Sequence, residues 1–219
     1  MARIIAITGI DGSGKTSTAR NLQKTLADAG FRAQYEHQFN SVFARVFNTL
    51  RALLPTQKTK PSGASVQMEC GSVSPSAQKT SHLKRAAAYA FLLFQALASN
   101  RARLSRHNFL IYDRYFYDDF VRMCQRYSVS QRYLLMVEKL VPRPVLFVTL
   151  EGDARETYNR QVDIDSSFEK YVEKLRIHNA TIDQLRRLGH ANIAIDTTKK
   201  LPPEVLKEIM RELEKNSII

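Results

Sequence analysis

The chain has 219 residues, enough for one domain with a sizeable core. Hydrophobic residues make up 44% and charged residues 25%, an ordinary soluble balance that argues against a disordered chain. The formal net charge of +12 points to an anionic partner (nucleotide, nucleic acid or membrane surface), and a basic substrate cleft is the simplest of these.

In chain order, Arg3 to Thr8 reads as a buried strand, and Lys15 to Ala29 as a helix with Leu22 and Leu26 on one face and Gly30 as its stop. Phe31 to His37 alternates like a second strand. Ser41 can cap a helix running to Leu54, which Pro55 ends. Residues 55–82 are rich in Ser, Thr, Gln, Lys, Pro and Gly, a composition that cannot offset its own ordering entropy, so a mobile loop is expected there. His82 to Arg106 reads as a long helix, apolar almost all round in its first half and therefore buried against a sheet. Its apolar stretch, Ala86 to Ala98, is too short to span a bilayer.

Phe109 to Tyr112 is a third strand, ending in Asp113. Helices follow over Tyr115–Tyr127 and Gln131–Leu140, and Val145 to Leu150 is a strong β-forming run. Ala154 to Val162 is helical, Asp163 to Ser167 a polar turn, and Phe168 to Leu188 a long amphipathic helix closed by Gly189. Asn192 to Asp196 is the last strand, and Pro203 to Lys215 the last helix. Strands alternating with helices predict an α/β fold: a five-stranded parallel sheet with helices on both faces, in one domain over 1–219. The two cysteines, Cys70 and Cys124, lack metal-ligand spacing, and no signal peptide is read, so a cytoplasmic location is expected.

The most informative stretch is Gly9-Ile10-Asp11-Gly12-Ser13-Gly14-Lys15-Thr16, which fits G-x-x-x-x-G-K-[ST] at every fixed position. It lies between an apolar strand and a helix, the context a P-loop requires. Glycines let successive N–H groups turn into one concavity, and the helix N-terminus adds partial positive charge. Gly9, Asp11, Gly12, Ser13, Gly14, Lys15, Thr16 and Ser17 are therefore the expected ATP-phosphate site. Lys15 reaches the β- and γ-phosphates, and the Thr16 hydroxyl can ligate Mg²⁺. Asn108 to Tyr115 is a second feature: an apolar strand ending in Asp113 and Arg114. Strand C-termini line the ligand crevice of a parallel sheet, so Asp113 is placed to hold Mg²⁺ through water and Arg114 to clamp an acceptor phosphate.

With these motifs the chain resembles the thymidylate kinase family of nucleoside-monophosphate kinases. The P-loop, with its carboxylate at Asp11, looks like that family's loop, and Asp113-Arg114-Tyr115 looks like its D-R-[YF] motif. Leu92-Leu93-Phe94 resembles its L-L-F segment. Arg160 falls at an arginine typical of the helix entering the family's lid, here about 155–167. Ile195-Asp196, a loop and Pro203 look like its closing strand and helix. The resemblance implies Asp11 near the acceptor's sugar or phosphate, Tyr115 beside the substrate, and lid arginines supplying transition-state charge where the P-loop has none. Arg160, with Arg155, is then the candidate. It implies ATP and Mg²⁺ as cofactors, dTMP as acceptor and a homodimer.

Departures from that pattern bear on the acceptor. Tyr35-Glu36-His37-Gln38-Phe39-Asn40 stands where the family has an Arg-Glu-Pro-like triplet, and Ala98 stands where it has a thymine-reading Arg, with Arg101 nearly one turn on. If Phe91 sets the register, the reader becomes Gln95, whose amide can pair with a base edge. Phe91 or Phe94 stacks the base or belongs to the core. With a hydroxyl acceptor, a nucleoside or a sugar, a base is needed, and Glu36 is the candidate. Between Arg51 and His107, nine basic residues face one acid, which favours a rival nucleotide-dependent protein bound to nucleic acid. No nucleic-acid motif or aromatic–basic interleaving supports that rival.

Overall fold

The computed structural model describes residues 2–37, 82–161 and 167–219. The helix expected over Ser41–Leu54, nearly all of the 55–82 loop, Gln38 to Asn40 and most of the polar turn in the lid lie outside the described residues.

The elements in order are β1 (Arg3–Gly9), α1 (Lys15–Asp28), β2 (Ala33–His37), α2 (His82–Ser99), β3 (Phe109–Asp113), α3 (Phe116–Tyr127), α4 (Arg132–Val137), β4 (Leu146–Glu151), α5 (Ala154–Asn159), α6 (Phe168–Arg187), β5 (Asn192–Asp196) and α7 (Pro202–Lys215). Five parallel strands run in the order β2-β3-β1-β4-β5. The apolar runs of β1, β3 and β4 are buried on both faces, as a covered parallel sheet demands. Alternation then sorts them. Ile4, Ala6, Leu110, Tyr112 and Phe147 pack under α2, α3 and α6, through Leu92, Ala96, Phe116, Phe120, Ile182 and Leu185. Ile5, Ile7, Phe109, Ile111, Val148 and Ile195 pack under α1 and α7, through Leu22, Leu26, Ile209 and Leu213.

Strand register decides which side chains share the sheet's C-terminal edge. Ile7 lies beside Asp113, and His37 lies beside Asp113 from the other side. Gly9 lies beside Leu150, and Glu151 beside Asp196. All five strands therefore end at one edge, with the glycine loop at its middle.

The expected elements are present with four corrections among the described residues, one being that the helix from Ala154, expected to reach Val162, ends at Asn159 with Arg160 as its C-cap. The helix from His82 ends at Ser99 and passes into a 3-10 turn, Asn100–Leu104, where the Ser99 hydroxyl lies 2.8 Å from the Gln95 carbonyl and competes with the helix's own donors. That helix is also not buried all round: Leu93, Phe94 and Leu97 are exposed while Leu92 and Ala96 enter the core. The helix expected over Gln131–Leu140 is α4 followed by a 3-10 turn, Glu138–Leu140. No described helix is long and apolar enough to cross a membrane.

Candidate functional site

The loop between β1 and α1 turns where its glycines sit. Gly12 has φ 85° and Gly14 φ 83°, left-handed values that favour glycine. Gly12 has a second constraint, because a Cβ there would lie 2.0 Å from the Thr157 carbonyl oxygen of α5. The glycine loop thus lies against backbone of the helix Ala154–Asn159. Lys15, at the start of α1, is 5% exposed, and its Nζ donates to the Ile10 carbonyl at 2.6 Å. Burial lowers its pKa to about 8, against the opposing pull of Asp11 and Asp118. The Ser13 hydroxyl is buried with no hydrogen-bond partner among the described residues. A donor of this kind inside a turn of backbone N–H groups suits an anionic oxygen.

The end of β3 meets this loop directly. The Thr16 hydroxyl donates to Asp113 Oδ2 at 2.6 Å. Tyr35 donates to the same oxygen at 3.1 Å, and His37 Nδ1 lies 3.0 Å from it. Asp113 Oδ1 is buried and has no partner among the described residues. An orphaned carboxylate oxygen beside a threonine hydroxyl fits a hydrated Mg²⁺, which takes one or two protein oxygens and keeps several waters. Tyr35 and His37 share one face of β2, which is why both reach Asp113. Glu36 points to the other face, where its carboxylate accepts from Gln34 at 2.5 Å.

Arg114 follows with φ 69°, left-handed backbone that is sterically costly for a residue with a Cβ. Its Nη2 donates to Asp11 Oδ1 at 2.9 Å. Lys174 of α6 holds the other oxygen of the same carboxylate, and Lys15 lies 3.8 Å from it. Burial alone would raise the Asp11 pKa, but Lys174, Lys15 and Arg114 together hold it down at about 2. Beneath them the Thr8 hydroxyl donates to Asp118 at 2.9 Å and lies 3.1 Å from His178 Nε2. Burial pushes Asp118 up to about 6 despite nearby Lys15, and pushes His178 down to about 4. A small cavity opens here, lined by Asp11, Arg114, Asp118, Arg122, Lys174 and His178.

Other expected site residues stand elsewhere. Tyr115 is 1% exposed, and its hydroxyl donates to the Pro142 carbonyl at 2.7 Å, so it is a core residue and not a wall of the cleft. Gln95 is buried between α2 and α3, with its amide nitrogen 3.4 Å from Asp119, while its Oε1 is buried with no hydrogen-bond partner among the described residues. Phe91 is half-buried against the core, and Phe94 is 42% exposed on α2. Arg160 caps the end of α5, pairs with Glu156 and donates to the Thr197 carbonyl at 3.2 Å, rather than turning into the loop. Arg155 lies over the Phe168 ring, 4.8 Å from its centroid. Gly9 closes β1, and Thr16 and Ser17 lie in the first turn of α1.

Five residues of this constellation carry no motif: Tyr35, His37, Asp118, Lys174 and His178. One signal existed for the last two. Tyr171, Lys174, His178, Ile182 and Leu185 recur at helical spacing on the buried stripe of α6, and a lysine on such a stripe needs a partner.

The chain is similar in sequence to a probable thymidylate kinase of Pyrococcus horikoshii, 24% identical over 156 residues, which is 71% of this chain and 68% of that protein. Its fold is similar to thymidylate kinase from Ehrlichia chaffeensis (TM-score 0.59, 14% identity, 97% of this chain and 98% of that one). It is also similar to deoxyadenosine kinase from M. mycoides with dCMP and dCDP bound (TM-score 0.58, 14% identity, 97% and 99%). No protein-family profile matches the chain. At these identities the likenesses show a shared fold, that of the thymidylate and deoxyadenosine kinases.

Proposed function

We propose that the protein transfers the γ-phosphoryl of Mg·ATP to a nucleoside monophosphate, dTMP first, giving dTDP. The observation that carries this reading is the junction of loop and β3: Thr16 on Asp113 at 2.6 Å and Arg114 on Asp11 at 2.9 Å. Two phosphate-handling halves, one for a donor and one for an acceptor, meet there within one side chain's reach.

In this reading the loop amides, Ser13 and Lys15 hold the donor's phosphates, and Arg114 orients the acceptor phosphate. Thr16 and Asp113 would hold Mg²⁺, which neutralises charge on the donor's phosphates. The acceptor oxygen is already anionic, so no general base is needed, and catalysis reduces to positioning and charge stabilisation. A homodimer is part of the proposal by resemblance alone, and sedimentation velocity tests it.

A second reading, a nucleoside, another nucleotide or a sugar as acceptor, is favoured by Ala98 and the Tyr35–Asn40 stretch, which stand where the family has its thymine-reading Arg and its Arg-Glu-Pro-like triplet. With a hydroxyl acceptor that reaction needs a base. Glu36 remains its candidate, although it lies on the face of β2 away from Asp113.

The deciding experiment is ADP production with Mg·ATP and a panel of monophosphates, nucleosides and sugars, with Lys15→Ala as the blank. Turnover of dTMP that vanishes in the blank supports the first reading. Turnover of nucleosides that also vanishes in Glu36→Gln supports the second. No turnover with any acceptor sinks both.

A further inference from the structure

We propose that Lys174 is the second cation of the acceptor-phosphate site, and that the Asp11 carboxylate holds the phosphate's place in the ligand-free protein. The inference rests on the acceptor being a phosphate, the first of the two proposed functions.

The observation is a convergence. Arg114 comes from the turn after β3 and Lys174 from α6, on separate elements, yet each takes one oxygen of the same carboxylate. Two cations spaced to grip the two oxygens of one planar anion also suit two oxygens of a phosphate. The backbone at Arg114 is held at φ 69° to aim its guanidinium there, a strain that persists only where the surroundings enforce it.

Access and charge agree with the geometry. Asp11 and Arg114 are each 34% exposed and Lys174 25%, so the pair opens to solvent rather than lying in the core. Lys15, Arg114 and Lys174 surround one loop carboxylate, which leaves a local surplus of positive charge that further anions can satisfy.

The alternatives are committed elsewhere. Arg122 lines the same cavity but pairs with Asp119. Arg160 pairs with Glu156, and Arg155 lies over Phe168. Lys174 is therefore the described cation best placed to supply the charge that the loop, with no arginine of its own, lacks. When an acceptor phosphate arrives it takes over Arg114 and Lys174, and the Asp11 carboxylate turns away from them. The exchange replaces one anion by another on the two cations, and the Asp11 carboxylate, 34% exposed, is left to solvent and to Lys15, 3.8 Å away.

Calorimetry tests this with dTMP, dCMP, dAMP and dGMP, each beside its nucleoside, and separately with Mg·ADP. In Lys174→Ala, the preference for the bound monophosphate over its nucleoside should fall roughly 10- to 100-fold, the size of one hydrogen bond to a charged group. Mg·ADP affinity should stay within about threefold, and Lys174→Arg should recover most of the loss. Asp11→Asn should bind the monophosphate severalfold more tightly, since the competing anion is gone. An unchanged monophosphate preference in Lys174→Ala overturns the inference. So does an equal loss of Mg·ADP, which would make Lys174 a brace for the loop, and so does weaker monophosphate binding in Asp11→Asn. If the unsubstituted protein prefers no monophosphate over its nucleoside, the phosphate-acceptor reading itself fails and this inference falls with it.

Discussion

Gly12 and Gly14 have nearly the same φ, yet a methyl group should affect them differently. At Gly14 the space is open, so Gly14→Ala carries only the cost of left-handed backbone, about 1 kcal/mol. At Gly12 the added Cβ meets a backbone carbonyl at 2.0 Å, and backbone cannot rotate aside as a side chain can. Gly12→Ala should cost distinctly more, on the order of 3 kcal/mol. Thermal unfolding of the two variants side by side checks the order. Equal midpoints would show that α5 does not press on the loop.

The buried pair around Thr8 gives a second expectation, with opposite signs for its two members. His178 has its pKa lowered to about 4, so the unfolded chain binds the extra proton between roughly pH 6.5 and 4. Its contribution to stability is complete above pH 6.5 and is lost as pH falls toward 4. Asp118 has its pKa raised to about 6, so the folded state binds the proton, and its contribution is present at low pH and lost as pH rises through 6. The two partly cancel across the same window. His178→Gln should remove the acid-side loss and leave the Asp118 trend, so that stability rises on acidification from pH 6.5 to 4.5, by up to roughly 3 kcal/mol relative to the parent chain's trend. Urea titrations at several pH values would show it, and parallel curves for the two proteins would sink it.

At the scale of elements, α6 links the loop to the rest of the cleft. The Tyr171 hydroxyl lies 3.1 Å from the Asp11 carbonyl and 2.6 Å from the Thr157 hydroxyl, so one side chain spans loop, α5 and α6. Tyr171→Phe keeps the ring and removes those bonds. We expect a loss of about 1 kcal/mol in stability and weaker Mg·ADP binding, with the acceptor's nucleoside little affected. Unchanged nucleotide binding would mean the loop holds its shape without α6.

The same helix shows what sequence can and cannot convey. Gly9 to Thr16 is legible because one contiguous stretch makes the whole device. Asp113 is legible because a run of four apolar or aromatic residues, Phe109 to Tyr112, must end somewhere, and a parallel sheet fixes at which edge. Lys174 and His178 look like ordinary polar residues of an amphipathic helix until the fold shows which stripe faces inward. Arg160 is only partly legible. Its position in a lid-like segment is readable, but its pairing with Glu156 one turn back is a local choice that local spacing equally allows. Tyr115 shows a third cause, since a motif neighbour can serve packing, and only burial separates the roles.

For the whole molecule the excess of positive charge bears on rates of encounter more than on fold. With a formal charge of +12, association of Mg·ATP and of a monophosphate should slow as salt rises, while turnover at saturation changes less. Stopped-flow binding at about 50 and about 300 mM salt, a range over which screening tightens severalfold, would read this. A flat on-rate would place the excess charge away from the cleft.

The strand order has a consequence for how the chain is made. β1 carries the glycine loop, yet both of its neighbours come far later: Arg3 pairs with Phe109, and Ile5 with Leu146. During synthesis the central strand therefore leaves the ribosome ahead of both neighbours and waits, apolar on both faces, until Leu146 has followed it. Such non-local pairing makes slow folding and a prolonged exposure of Ile4, Ile5 and Ile7 the expected course. A nascent chain halted short of β4 would have that strand closed on one side alone, and there a holding chaperone would have most to do.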